Sequence, residues 1–94
     1  MKVQLSRFVE SDLRTIGDYI ARHNPRRARS FVQELRDKFL IVAKNPEMYR
    51  LRPELGETAR LAPHGRYVIL FRILPDGVRI ERVLSGYRDL PNVI

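Results

Sequence analysis

Residues 66–84 read Arg66-Tyr67-Val68-Ile69-Leu70-Phe71-Arg72-Ile73-Leu74-Pro75-Asp76-Gly77-Val78-Arg79-Ile80-Glu81-Arg82-Val83-Leu84. Pro75-Asp76-Gly77 is hairpin-turn chemistry and divides the stretch into two β-type segments, Arg66–Ile73 and Val78–Leu84. The first is apolar at successive positions from Tyr67 to Phe71, which places it in a sheet interior with both faces largely covered. Just upstream, Pro63-His64-Gly65 reads as another turn, preceded by a third β-type segment, Glu57–Ala62. The C-terminal half is therefore a small meander of antiparallel strands.

Working back toward the N-terminus, the period changes. Residues 46–56 form an irregular, polar connection. Before it, Ala28, Phe31, Leu35, Phe39 and Val42 lie on one face of a long helix that starts after Asn24-Pro25 and stops at Asn45-Pro46. Val32, Leu40 and Ile41 widen its apolar stripe beyond what one sheet contact requires. Val9, Leu13, Ile16 and Ile20 recur at intervals of four, three and four, predicting a first helix from Arg7 to His23 with Ser6 as its N-cap. The minimal connection between the helices makes them an antiparallel hairpin. Val3 and Leu5 alternate with polar neighbours as a short first strand. The order is β-α-α-β-β-β, an α+β fold with an N-terminal helical hairpin packed on a small, mostly antiparallel sheet.

The 94 residues are expected to form one domain, 1–94, since a second core would leave neither half enough buried surface. The 44% apolar content excludes a disordered chain, and the lack of cysteine excludes disulfides and thiolate metal sites. His23 and His64 show no zinc spacing, and no run approaches the length of a membrane span. The start of the chain lacks the apolar run of a signal peptide, so a cytoplasmic protein without metal or cofactor is expected. The net charge of +7 points to an acidic partner or a nucleic acid. Fifteen of the 18 basic residues are arginine, whose planar fork suits carboxylates and phosphates, although genomic base composition produces the same bias.

Local sequences then coincide with a known family. Asp12-Leu13 followed by Ile16 and Tyr19-Ile20, Asn45-Pro46-Glu47-Met48 with Arg52-Pro53-Glu54-Leu55, Gly65–Arg72, and Val78–Leu84 followed by Ser85-Gly86-Tyr87-Arg88-Asp89 occur in family order. Together they resemble the RelE/ParE superfamily of bacterial toxins across essentially the whole chain. The resemblance implies the toxin of a type II toxin–antitoxin system. RelE-like members cleave messenger RNA on the ribosome; ParE-like members poison DNA gyrase and are not known to need a hydrolytic site.

RNA cleavage through the 2′-hydroxyl needs a base, an acid and positive charge on the phosphate. In the resemblance, Val68 stands where RelE-like nucleases carry a third-strand arginine. Leu61 stands near their second-strand basic residue, with Arg60 beside it as a substitute. Nothing in Leu90-Pro91-Asn92-Val93-Ile94 matches their C-terminal tyrosine or histidine, whereas Arg88 matches a basic residue of the family's site. No catalytic residue is assigned, and the reading leans toward a binding inhibitor of DNA gyrase rather than an enzyme. A ribosome-dependent endonuclease and a degenerate, non-toxic antitoxin-binding module stay open.

Other candidates are weighed on chemistry. Asp12 and Asp18 are separated by about 240° around a helix and do not converge. Glu54 and Glu57 read as solvated loop residues. His23 reads as a helix-end cation and His64 as an exposed turn residue, though the latter is the first suspect should activity be found. The tyrosines could stack on bases, but Tyr67 alternates with core positions. Arg26, Arg27 and Arg29 crowd the start of the second helix against its dipole and suggest a surface patch. Arg79 and Glu81 flank Ile80 as a solvated edge. Arg60, Arg66, Arg72, Arg82, Tyr87 and Arg88 are the expected target-binding residues, Arg82 reading equally as a structural partner of Glu81, Glu57 or Asp89. Ile20, Val32, Leu35, Phe39 and Leu40 are expected to receive an amphipathic helix of a cognate acidic, ParD-like antitoxin in a hetero-oligomer. Burial of Val32, Leu40 and Ile41 between the helices is the alternative.

Overall fold

Asn24 accepts a hydrogen bond from the Arg27 amide at 3.0 Å and Pro25 follows at the first helical position, so the long helix starts where the sequence places it. The computed structural model describes residues 2–86. They fold as strand β1 (Lys2–Leu5), helices α1 (Val9–Ala21) and α2 (Pro25–Lys44), then strands β2 (Arg60–His64), β3 (Tyr67–Leu74) and β4 (Gly77–Ser85). Two short 3-10 turns, Pro46–Met48 and Pro53–Leu55, order the connection between α2 and β2. The architecture is the expected α+β arrangement of two helices on a four-stranded sheet.

The sheet order is β1-β4-β3-β2, with β2–β3 and β3–β4 antiparallel and β1 parallel to β4. Tyr67, Ile69 and Phe71 of β3 and Val78, Ile80 and Val83 of β4 face the helices and join Leu13, Ile16, Leu35 and Phe39 in the main core. The other sheet face carries a second, smaller apolar cluster in which Leu61 and Leu70 meet Ala59, Leu55 and Val68. Central β3 is thus covered on both sides up to Phe71, as its continuous apolar run predicts, while Arg72 is exposed.

Several boundaries differ from expectation for identifiable reasons. The first helix begins at Val9, not Arg7, and Ser6 is not its cap. Ser6 Oγ instead accepts from the Phe8 amide at 3.2 Å and donates to the Glu81 carbonyl at 2.5 Å, tying the strand–helix turn to β4. The helix ends at Ala21 with Arg22 at its cap, so His23 lies beyond the end it was expected to complete. The strand expected at Glu57–Ala62 lies three residues later at its start, because residues 56–59 close a turn through the Ala59 amide and Gly56 carbonyl. Pro63 and His64 belong to the strand, and the β2–β3 turn is Gly65-Arg66, with Gly65 at φ 60°. Positive φ is where a two-residue hairpin turn selects glycine. Pro63 is tolerated because β2 is the sheet's edge.

Gly77 is not a turn residue either. It pairs with Leu74 on one side and Lys2 on the other, and a Cβ there would overlap the Lys2 backbone carbonyl. Close approach of β1, not turn conformation, requires the glycine.

Candidate functional site

Two surfaces combine exposure with chemistry. The first is a groove of about 530 Å³ along the outer side of the helical hairpin. Its floor is shallow because the residues there are small or already packed: Gly17 and Ala21 from α1, Ala28 and Val32 from α2, with Leu13 beneath. The helices approach closely at this point, since a Cβ on Gly17 would sit 3.3 Å from Val32 Cγ2. Arg14 and Arg29 stand on opposite rims, and neither forms an ion pair among the described residues. One end is closed by Arg36, whose guanidinium donates to both oxygens of Glu10 at 2.9 and 2.6 Å. That bond holds the Glu10 carboxyl below the usual glutamate range and raises the guanidinium. With Glu10 engaged by Arg36, the rim carries Arg14 and Arg29 beside the Asp18 carboxylate above an apolar floor, a single positive charge in excess that suits a helix carrying small apolar residues and carboxylates.

The residues expected to contact an antitoxin do not lie together. Val32 lines this groove, and Ile20 is half-buried against the core. Leu35 and Phe39 are inside the core, 0% and 4% exposed, and present no surface. Leu40, 58% exposed, projects with Ile41 from the outward side of α2. The wide stripe therefore splits between core, groove and solvent instead of forming one docking face, and Leu40 and Ile41 are not buried between the helices. The groove's small residues on α1 were missed: Gly17 and Ala21 carry no apolar bulk, and their 4-residue spacing was the available signal.

The second surface is the sheet and its edges. The described arginines of the expected target-binding set do not converge. Arg60 on β2 donates from NH1 to the Tyr49 carbonyl at 2.5 Å, holding the 46–59 connection against the sheet. Arg66 occupies the β2–β3 turn and is exposed. Arg72 lies on β3 directly opposite Arg79 of β4, and both bond Glu81. Arg79 and Glu81 are thus linked to Arg72 rather than forming a separate edge. Tyr87 and Arg88 lie outside the described residues.

Among the described residues Arg82 pairs with neither Glu81 nor Glu57 but with Asp12 of α1, Nε and NH2 each donating to one carboxylate oxygen at 2.9 and 2.8 Å, while Asp89 lies outside the described residues. Asp12 also accepts from the Val83 amide at 3.0 Å. Beyond Ile80, where β1 ends, β4 would expose its edge to α1, and Asp12 satisfies the amide there. Seventy residues separate the partners, so neither periodicity nor local motif indicates the pairing.

The positions compared with the nuclease branch are apolar in space as well as sequence. Leu61 is buried in the outer-face cluster and Val68 packs against it. His64 is not exposed as expected. Its ring lies 5.3 Å from that of Phe31, and Nε2 is 3.1 Å from Glu34 Oε1. Arg27 also grips Glu34, and these two contacts, the arginine's first, hold the Glu34 carboxyl below its usual range. Of the arginines that crowd the start of α2, Arg27 is thus ion-paired, while Arg26 and Arg29 form no ion pair among the described residues. Among the described residues no group of acidic and histidine side chains is arranged to hold a metal, and no helix is long and apolar enough to cross a membrane.

Comparison with known proteins gives two findings. A family model described as the ParE toxin of the type II toxin–antitoxin system parDE matches residues 3–90. The fold is similar to a solved structure of a chromosomal ParDE toxin–antitoxin system from P. aeruginosa, with TM-score 0.76 and 20% identity, covering 90% of this chain and 95% of that one. Among curated proteins none matches.

Proposed function

This chain belongs to the ParE toxin family of type II toxin–antitoxin systems, and from that premise we propose that it inhibits DNA gyrase and is neutralised by an acidic antitoxin. The observation that carries the reading is the family match across residues 3–90, on a sheet whose Leu61 and Val68 positions are apolar where an RNA-cleaving relative would need cations. Inhibition then proceeds by binding: basic groups of the sheet and the following segment, Arg88 foremost, engage gyrase holding its cleaved DNA and block resealing. The site of action is the cytoplasm, where gyrase works.

The hairpin groove supports the antitoxin half of the proposal. Its small-residue floor admits a helix closely, and Arg14 and Arg29, which form no ion pair among the described residues, favour carboxylates on that helix and speed the encounter. The net charge of +7 acts in the same direction at long range. The fold neighbour from P. aeruginosa was itself solved as part of a toxin–antitoxin system.

The test is induced expression without antitoxin, scoring growth, plasmid supercoiling and transcript integrity. Arrest with loss of supercoiling and intact transcripts is expected. Arrest with cut transcripts overturns the gyrase reading in favour of ribosome-dependent cleavage, and normal growth reduces the chain to an antitoxin-pairing module. Arg14→Glu with Arg29→Glu, both at the groove rim, is expected to weaken rescue by the co-expressed antitoxin while growth arrest persists.

A further inference from the structure

On the sheet face turned away from the helices, Arg72 and Arg79 are register partners on adjacent antiparallel strands. Like charges placed directly opposite one another destabilise a sheet. Here they share one carboxylate. Arg72 reaches Glu81 Oε2 through Nε and NH2, both at 2.6 Å, and Arg79 Nε reaches Oε1 at 3.2 Å. The triad therefore keeps one positive charge in excess, unlike the neutral Arg82–Asp12 pair nearby. Glu81 stands at the register slip between Leu70 and Phe71, where Arg82 and Ile80 take the consecutive pairings. Such bulges re-aim side chains. A cleft of about 490 Å³ opens beside Arg72 and Glu81, floored by Leu70 and Ala59 and walled by residues 55–58.

We propose that Arg72 and Arg79 form a phosphate-binding fork for the backbone of duplex DNA, with Glu81 occupying the position that a phosphate takes when DNA binds. Two guanidiniums converging on two oxygens of one anion is the geometry of phosphate recognition, and the resident carboxylate shows that the fork can be filled this way. Side chains directly opposite across a sheet lie about 5 Å apart, close enough to straddle one phosphate or adjacent ones. The inference deepens the gyrase reading, on which it rests for the source of the DNA, and gives Glu81 a restraining role that a merely structural ion pair lacks.

The experiment is fluorescence-anisotropy titration of a short DNA duplex with the purified chain over a range of salt. R72A/R79A is expected to lose about tenfold in affinity and to reduce the slope of log K against log salt by about 2. Glu81→Gln is expected to bind more tightly than the unsubstituted chain, the opposite direction from any loss of fold. R22A/R26A, which removes the same charge from the helical hairpin, is expected to bind almost normally. Equal loss in both double variants, no loss in R72A/R79A, or failure of Glu81→Gln to tighten binding overturns the proposal. So does a result in which R72A/R79A weakens an acidic peptide and not the duplex. The assay contains no gyrase, so duplex binding through this fork without gyrase inhibition retires the gyrase reading alone, and the converse retires the fork alone.

Discussion

Asp12 satisfies the edge of β4 where β1 no longer covers it, and Asp12→Ala tests that assignment. The side chain is 11% exposed and accepts three hydrogen bonds, two from Arg82 and one from the Val83 amide. Its removal strands a part-buried amide, at about 1–3 kcal/mol. Arg82 is 36% exposed and keeps water as an alternative partner, so losing the ion pair adds only about 0.5–1 kcal/mol after screening. The sum is about 2–4 kcal/mol, a large share of the roughly 5–10 kcal/mol that holds a domain of this size folded. At about 4–8 °C per kcal/mol, the Tm falls by roughly 8–32 °C. Asp12→Asn keeps an acceptor for Val83 and is expected to cost about 1 kcal/mol. Urea and thermal denaturation give the energies, and hydrogen exchange at the Val83 amide reports the edge directly. The reasoning is refuted if Asp12→Ala costs less than Asp12→Asn, or if Val83 exchange is unchanged.

Gly77→Ala is expected to separate β1 from β4, since a Cβ cannot share space with the Lys2 carbonyl; a cost of about 1–3 kcal/mol in urea denaturation and faster exchange at the Lys2 amide, which donates to the Asp76 carbonyl, would show it. Leu35→Ala is expected to cost about 2–5 kcal/mol and Leu40→Ala less than about 0.5 kcal/mol, because the first is core and the second is exposed. The Glu10, Glu34 and Glu54 carboxyls are all held below the usual range: Glu10 by Arg36, Glu34 by Arg27 and then His64, and Glu54 by a hydrogen bond from its own backbone and then by the Arg52 side chain. Carboxyls depressed in the folded state contribute stability that is present above the ordinary glutamate range, about pH 4.3, and is lost as pH falls through the folded values. The urea midpoint should therefore be flat near neutrality and drop below about pH 4.3, with a shallower acid limb in Arg36→Ala.

Much of the fold was legible because local chemistry and global packing agree in α2 and β3. Asn24-Pro25 and Asn45-Pro46 leave a helix no other limits, and the unbroken apolar run from Tyr67 to Phe71 has no solvent-facing side. Where one residue serves two masters, sequence reasoning chose the local role. Ser6 looked like a helix cap but spends its hydroxyl on the Glu81 carbonyl, and Gly77 looked like a turn but is needed by β1. The site was less legible for the same reason. Arginine type does not distinguish Arg60, held by the Tyr49 carbonyl, from Arg29, which stands at the groove rim with no ion pair among the described residues. Helical phase sets Leu40 about 140° from Leu35, so the two could not share one docking face, and grouping them by apolar type alone hid that the first is core and the second exposed. Small residues facing one another across two helices make a groove that no count of bulky side chains reveals.

The most direct measurement of the central claim is cleavage trapping with purified components: gyrase, ATP and supercoiled plasmid incubated with the chain, then denatured and digested to release trapped complexes. The account predicts linear plasmid that accumulates with the chain's concentration and disappears when an antitoxin is added first. Plasmid that stays supercoiled, with gyrase active at saturating amounts of the folded chain, would contradict it.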